Sequence, residues 1–267
     1  MLVLGISLLP VLLLLLYIYR KDIVSPEPPA QLIKAFFFGV GSIFVSIGIF
    51  SPLLSLLGLD FRNSQNVFGQ VAEAFFGAAL PEESAKLLML WLLLRRNKYY
   101  DEYFDGIVYA TFVGLGFAAF ENVMYVSEAA ENWLTVGTSR ALFSIPGHFS
   151  FAVAMGYFYS LVHFKQKDDN LTKVCVLLVP VIAHWIYDGL LFAQGVVAEI
   201  VGMAFILCFL VFVFFMYRRT IKLVAKLRDF DNPPPPPISL TPPPLPPSQS
   251  YPSTPSQPST PCSTQSS

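Results

Sequence analysis

Long apolar runs recur along the chain and are separated by short polar connections. A helix needs about 20 apolar residues to cross a hydrocarbon core of roughly 30 Å. By this measure the pattern predicts about seven membrane-spanning helices, at residues 2–19, 35–58, 71–94, 106–126, 141–163, 174–194 and 199–217. We therefore expect an all-α, polytopic membrane helix bundle.

Composition and charge agree with a membrane protein and exclude two other classes. Hydrophobic residues make up 54% of the 267 residues and charged residues only 13%, which is too few charges for an ordinary soluble domain. The formal net charge of −1 gives no basic excess for binding nucleic acid. The 3 cysteines form neither a disulfide framework nor a Cys-x-x-Cys metal site.

The positions of the basic residues predict the orientation of the bundle. Arg20 and Lys21 follow the first apolar run and no basic residue precedes it, which favours a retained anchor over a cleaved signal peptide. If the predicted spans are correct, 14 of the 17 Lys and Arg residues lie in connections on one side. Positive charge accumulates on the cytoplasmic side. We therefore predict the N-terminus outside and the C-terminus inside.

The composition changes abruptly near residue 232. Residues 233–267 hold 14 of the 22 prolines and no Asp, Glu, Lys or Arg. Such a segment cannot build a core and is typical of a disordered chain with polyproline II stretches. We expect a membrane domain at 1–231 and a disordered cytoplasmic tail at 232–267, which either is simply solvated or docks a PxxP-binding domain.

Several ionisable residues lie inside predicted spans, where each costs roughly 2.5 kcal/mol or more and is a functional candidate. They are Glu82, Glu83, Lys86, Glu121, His148, His184 and Asp188. Counted from the outer ends of their helices, the acids and histidines for which we estimate a depth lie roughly 8 to 17 Å below the outer surface. Their convergence on one layer predicts a shared polar site.

Local spacing adds geometry to this layer. His184 and Asp188 are four residues apart, which places them on one helix face, and Glu82 and Lys86 have the same spacing. The second pair is equally compatible with a neutralised ion pair that only locks two helices. Glu83 is left without an obvious partner in either interpretation.

Two further patterns concern helix packing. Ala110, Gly114 and Ala118 recur every four residues and predict a close helix contact. Packing does not explain Glu121 and its neighbour Asn122 at the end of this stripe. The Pro-Gly pair at 146–147 precedes His148 and predicts a loosened helix at that point.

Four ordered motifs lie within about residues 70–195. They are Pro81-Glu82-Glu83-Ser84-Ala85-Lys86, Asp105-Gly106-Ile107-Val108-Tyr109-Ala110 running into Gly114-Leu115-Gly116-Phe117-Ala118-Ala119-Phe120-Glu121-Asn122, Arg140 with Pro146 and His148, and His184-Trp185-Ile186-Tyr187-Asp188. Together they resemble the motifs of the PrsW family of intramembrane proteases, distant relatives of the CAAX prenyl endopeptidases and bacteriocin-processing enzymes.

The resemblance implies a function for these residues. Glu82, Glu83, His148 and His184 would carry catalysis, and Glu121 with Asn122 would line the same cavity. This chain has Asp188 where the family motif often ends in Asn. The resemblance also implies a bacterial cell membrane and a single-span membrane substrate such as an anti-sigma factor, cut on its outer side.

The residue types suit peptide hydrolysis, which needs a base for water and a group that stabilises the oxyanion. Glu82 or Glu83 is the expected base, and Lys86 keeps one of the two ionised. His148 and His184 either donate hydrogen bonds to the oxyanion or bind Zn²⁺ together with Glu121 or Asp188. Without a His-Glu-x-x-His stretch, the sequence leaves both alternatives open.

Two other functional classes are compatible with buried charges. An ion- or proton-coupled transporter also places acids and histidines inside a membrane. However, the sequence has no inverted repeat and no matched pair of broken helices in two halves. A non-catalytic scaffold that recruits partners through the tail is the third possibility, and the complete motifs argue against it.

Overall fold

The computed structural model describes residues 2–22, 25–167 and 169–232, and every regular element in these ranges is helical. The predicted all-α architecture is therefore confirmed for this part of the chain. The disordered tail was predicted at 232–267, and all of it except Asn232 lies outside the described residues. The proposed domain boundary near residue 232 accordingly stays a prediction.

Ten α-helices form the described structure. They are α1 (Leu2–Tyr19), α2 (Pro29–Val45), α3 (Ser51–Leu56), α4 (Val67–Glu73), α5 (Leu80–Leu94), α6 (Tyr103–Glu128), α7 (Trp133–Ser139), α8 (Ile145–His163), α9 (Asn170–Gln194) and α10 (Glu199–Asp231). π-helical turns at Ser46–Phe50, Ala74–Ala79 and Arg140–Ser144 join α2 to α3, α4 to α5 and α7 to α8.

Five helical segments of the described chain are long and apolar enough to cross a membrane. They are Pro29–Leu56, Tyr103–Glu128, Ala130–His163, Asn170–Gln194 and Val201–Asp231. The apolar part of α1 is shorter, at Gly5–Tyr19, and α5 carries three charged residues. A multi-pass membrane protein is thus confirmed, whereas the count of seven spans and their orientation stay predictions.

Proline accounts for the three π-helical turns. Pro52, Pro81 and Pro146 are each the second residue of the α-helix that follows such a turn. Proline lacks an N–H donor, and its ring clashes with the carbonyl group four residues earlier, so the preceding turn widens. The loosened helix predicted before His148 is observed, and a second wide turn lies directly before Glu82.

Helix α6 lies at the centre of the bundle, packed against α1, α2 and α8. Glycines allow the close approach on two sides. A Cβ atom at Gly114 would lie 2.6 Å from the Ala152 side chain on α8, and one at Gly116 would overlap the Phe36 carbonyl on α2. The predicted packing role of the small-residue stripe is confirmed at Gly114. This packing fixes the depth at which α6 presents its polar residues.

Candidate active site

The polar residues singled out in the sequence come together between α5, α6, α8 and α9. Glu82, Glu83 and Lys86 extend from the first two turns of α5, and Glu121 lies near the end of α6. His148 lies in the first turn of α8. Residues from distant parts of the chain therefore share one site, as their predicted depths require.

Lys86 lies at the centre of this site and is buried. Its ammonium Nζ atom is 2.8 Å from Glu83 Oε1, 3.3 Å from Glu82 Oε2 and 3.2 Å from His148 Nδ1. It also lies 4.0 Å from the centre of the Phe117 ring, a distance that allows a cation–π contact. The predicted Glu82–Lys86 pair is present, and Lys86 also supplies the partner that Glu83 lacked in the sequence.

His184 is held between two carboxylates. Its Nδ1 atom is 2.9 Å from Glu83 Oε1, and its Nε2 atom is 3.0 Å from Asp188 Oδ2. The Phe151 ring stacks on the imidazole with ring centres 4.7 Å apart. The contact expected from the spacing of His184 and Asp188 is therefore present, and the ring is fixed in position and tilt.

His148 is held by a network on its other side. Its Nε2 atom lies 2.9 Å from Glu121 Oε2, the same oxygen that accepts a 2.7 Å hydrogen bond from Arg140. Arg140 Nε also donates to Asn122 Oδ1, and the Asn122 amide donates to the Ser7 carbonyl of α1. Residues of α1, α6 and the π-helical turn before α8 thus orient one imidazole ring.

Arg140 is the site residue whose position the sequence did not reveal. In the sequence it lies just before the predicted span at 141–163, and it belongs to one of the recognised motifs. The structure places its guanidinium group over the Tyr125 ring, 4.2 Å from the ring centre, and against Glu121. These contacts, with Glu121, Asn122 and Tyr125, all come from α6, a separate helix, so helical spacing gave no signal for them and the motif was the only one.

A cavity of about 490 Å³ opens onto this cluster. Its polar lining includes Glu82, Glu121, Arg140, His148, His184 and Asp188. The Glu82 side chain is 15% exposed, whereas the Glu83 side chain is 1% exposed and does not line the cavity. A water molecule or a substrate carbonyl can therefore reach the Glu82 carboxylate more readily than that of Glu83.

A slightly larger cavity, of about 540 Å³, lies elsewhere in the described bundle, between α5, α8 and α9. Its walls are mainly apolar, with Leu87, Leu88 and Trp91 contributed by α5. It contains none of the acids or histidines of the polar cluster. Volume alone would favour this groove as the active site, but acids and histidines of the polar cluster line the smaller cavity.

The cluster also has the donor set of a metal site. Glu82, Glu83, His148 and His184 each offer one ligand atom, and these atoms lie within 4.8 Å of one another. Imidazole and carboxylate groups are usual zinc ligands. A carboxylate that holds the second nitrogen of a metal-binding histidine is a common supporting arrangement. Glu121 and Asp188 contact the histidines in this way.

These observations bear on the predicted metal ligands. The residues fit Zn²⁺ in type and spacing, and in the present arrangement the Lys86 ammonium already neutralises part of the same group. Glu121 lies outside the four-residue group, beside His148 Nε2. Its role as a direct zinc ligand stays a prediction, as does that of Asp188.

Comparison with known proteins gives consistent results. A family model described as PrsW family intramembrane metalloprotease matches residues 27–217. Three similar proteins are each named Protease PrsW. The one from Clostridioides difficile is 34% identical over 71% of this chain and 79% of its own length. The one from Geobacillus kaustophilus is 34% identical over 69% of this chain and 77% of its own length. The one from Bacillus subtilis is 29% identical over 72% of this chain and 83% of its own length. No solved structure gives a significant match.

Proposed function

The chain belongs to the PrsW family and is a membrane protease, and from this premise we propose that it hydrolyses a peptide bond of a membrane-anchored protein, with Glu82 as the base that activates water. The observation that carries the proposal is the unequal exposure of the two glutamates. Glu82 lines the cavity, whereas Glu83 is fully buried against Lys86 and His184.

The two glutamates then have different roles. A general base must come within hydrogen-bond reach of the water that it deprotonates. Glu82 meets this requirement, because its carboxylate borders the cavity and has one Lys86 contact at 3.3 Å. Glu83 Oε1 is already engaged by Lys86 and His184. We propose that Glu83 holds the Lys86 ammonium group and the His184 imidazole ring in place.

The reaction follows general acid–base catalysis. Glu82 accepts a proton from water while the oxygen of that water attacks the substrate carbonyl carbon, which gives a tetrahedral oxyanion. Arg140 and the two histidines border the same cavity, and the Arg140 guanidinium group supplies N–H donors for this charge. The protonated Glu82 then returns the proton to the leaving amine as the C–N bond breaks.

A zinc ion fits the same donor set. Glu83, His148 and His184 would hold it, since each offers a ligand atom within the cluster, and Glu82 would remain the base. A bound zinc ion polarises a carbonyl group and lowers the pKa of a bound water molecule. In either case the positions of the two imidazole rings depend on Glu121 and Asp188.

The location of the site suggests the class of substrate. The cavity opens among apolar helices, and its walls include Phe143, Phe209 and Leu210 beside the polar cluster. Such walls suit a membrane-embedded segment whose peptide bond reaches the polar layer. We propose a single-span membrane protein, in the manner of an anti-sigma factor, as substrate, and the bacterial cell membrane as location. A transporter or a scaffold role is not favoured.

Quantitative membrane proteomics tests this proposal. Cells that express the wild-type chain are compared with cells that express Glu82→Gln at equal abundance, with Glu128→Gln at an exposed position as the matched control. We expect one or more membrane proteins to accumulate intact with Glu82→Gln alone. Identical membrane proteomes in all three strains would contradict the protease mechanism.

A further inference from the structure

A second polar cluster lies at the other end of α6. It consists of Asp22 and Glu27, in the connection between α1 and α2, and Glu102 and Asp105, at the start of α6. One oxygen each from Asp22, Glu102 and Asp105 lies within 4.8 Å of the others. Asp105 precedes Glu121 by 16 residues, so the cluster is about 24 Å along the helix from the active site.

Three of these acids are buried, which is unusual for charged side chains outside a catalytic site. Asp22 is 4% exposed, Glu27 2% and Asp105 1%. Burial raises the pKa of the Asp22 and Glu27 carboxyls, the latter to about 7, since water no longer solvates the negative charge. A buried charge is normally paired or bound to a metal.

Hydrogen bonds satisfy only part of the cluster. Asp105 Oδ2 accepts the backbone N–H groups of Asp101 and Glu102 at 3.0 and 2.7 Å. Glu27 Oε2 accepts the Tyr109 hydroxyl at 2.6 Å. The other oxygens, Asp105 Oδ1 and Glu27 Oε1, are buried and receive no donor from the described residues.

The ion pairs found within residues 2–22, 25–167 and 169–232 do not neutralise the cluster. None of the ion pairs found between described residues includes Asp22, Glu27, Glu102 or Asp105. Asp231 of α10 adds a further negative charge nearby, since it accepts the N–H groups of Tyr103 and Phe104. Capping of the first turn of α6 explains why Asp231 and the Asp105 Oδ2 atom lie here, since both accept backbone N–H groups. Capping does not explain why Asp105 Oδ1 and Glu27 Oε1 are buried without a donor.

We propose that this cluster binds one divalent cation of the Mg²⁺ or Ca²⁺ type. All candidate ligands are carboxylate oxygens, which hard cations prefer, and histidine and cysteine are absent from the group. Asp22, Glu102 and Asp105 supply the close oxygens. Glu27 lies outside this group of three, but its side chain lies beside that of Asp105. The cation ties the α1–α2 connection to the start of α6.

This site is separate from catalysis and does not depend on the proposed function. Its effect is on stability, because the cation joins two segments that are distant in sequence. A ligand that binds only the folded state raises the melting temperature. At about 100 times the dissociation constant, the shift is roughly 5 to 10 °C for a protein of this size.

Thermal unfolding of the purified full-length protein in detergent tests the proposal. The protein is stripped with a chelator and titrated with MgCl₂ or CaCl₂, and NaCl at matched ionic strength is the control for screening. We expect one of the divalent salts to raise the melting temperature of the wild type. We expect the same increase in Asp101→Asn, an exposed acid beside the cluster, and in His184→Ala, which alters only the active site.

Glu27→Gln and Asp105→Asn should lose the cation-dependent increase. If either variant fails to fold, equilibrium dialysis of the stripped wild type and His184→Ala against Mn²⁺ replaces it. About one ion per chain is expected in His184→Ala, whose active-site group has lost a ligand, and at least one in the wild type; no bound ion in His184→Ala would overturn the proposal. An absent increase in the wild type, or an equal increase in the cluster variants, would overturn the proposal. A melting temperature that responds to pH but not to divalent cations would instead identify a proton shared between the carboxyls.

Discussion

Asp188→Asn is expected to leave most of the activity in place. In the structure Asp188 contacts His184 Nε2 at 3.0 Å and lies outside the group of four close metal donors. An asparagine oxygen can still accept the imidazole N–H, and the amide can turn to donate instead. The change therefore removes a charge but keeps a hydrogen bond to the ring.

The magnitude follows from the kind of hydrogen bond that is lost. A hydrogen bond to a charged group contributes roughly 1.5–3 kcal/mol, and a neutral one roughly 0.5–1.5 kcal/mol. The difference of about 1 kcal/mol corresponds to roughly a fivefold loss of rate. Asp188→Ala removes the partner altogether and leaves the ring free to tilt, for which we expect about a 10- to 100-fold loss.

The assay measures kcat on one reporter substrate and the metal content of the same preparations. Asp188→Asn should retain its metal content and keep kcat within roughly fivefold of the wild type. Asp188→Ala should lose more activity than Asp188→Asn. If Asp188 binds a metal directly, the neutral amide is a poorer ligand and both quantities fall together. A loss of activity above 1,000-fold accompanied by loss of metal in Asp188→Asn would refute the positioning role.

Two further predictions concern packing and orientation. Gly116→Ala should lower the melting temperature, because its new Cβ overlaps the Phe36 carbonyl at a cost of about 1–3 kcal/mol. Gly48→Ala is the control, since a Cβ there meets nothing within 4 Å and should be neutral. Equal melting temperatures in the two variants would refute the close α2–α6 contact. A reporter fused after Asn232 should be cytoplasmic and one in the 127–139 connection external, as read by reporter activity; the opposite pattern would reverse the predicted orientation.

The helices were largely predictable because apolar length is a local signal. Each predicted span coincides with a helical segment of the described structure, although α10 runs on to Asp231 rather than ending near residue 217. The extension consists of polar and basic turns, which are helical without being apolar. The π-helical turns had only a partial signal, in the Pro146-Gly147 pair.

The sequence predicted which residues belong to the candidate site better than it predicted the contacts between them. The approach of His184 to Asp188 follows from a four-residue spacing within one helix. The contact of Glu83 with His184 joins two helices 101 residues apart in sequence, and no local pattern encodes it. Arg140 belongs to a recognised motif, but no local pattern encodes its contacts with Glu121 and Asn122. The acidic cluster at the start of α6 also depends on tertiary packing, which brings the α1–α2 connection against Asp105.

The most direct test of the central claim compares Glu82→Gln with Glu83→Gln in purified enzyme on one reporter substrate. Both changes keep the size of the side chain and remove its charge, and Glu128→Gln is the exposed control. We predict that Glu82→Gln lowers kcat by about 10² to 10⁴, since it removes the base. Its melting temperature should fall less than that of Glu83→Gln, because the contact of Glu82 with Lys86 is longer, at 3.3 Å, and partly exposed. Glu83→Gln should lower the melting temperature as well, because Lys86 and His184 lose a buried partner. Wild-type kcat in Glu82→Gln would contradict the mechanism.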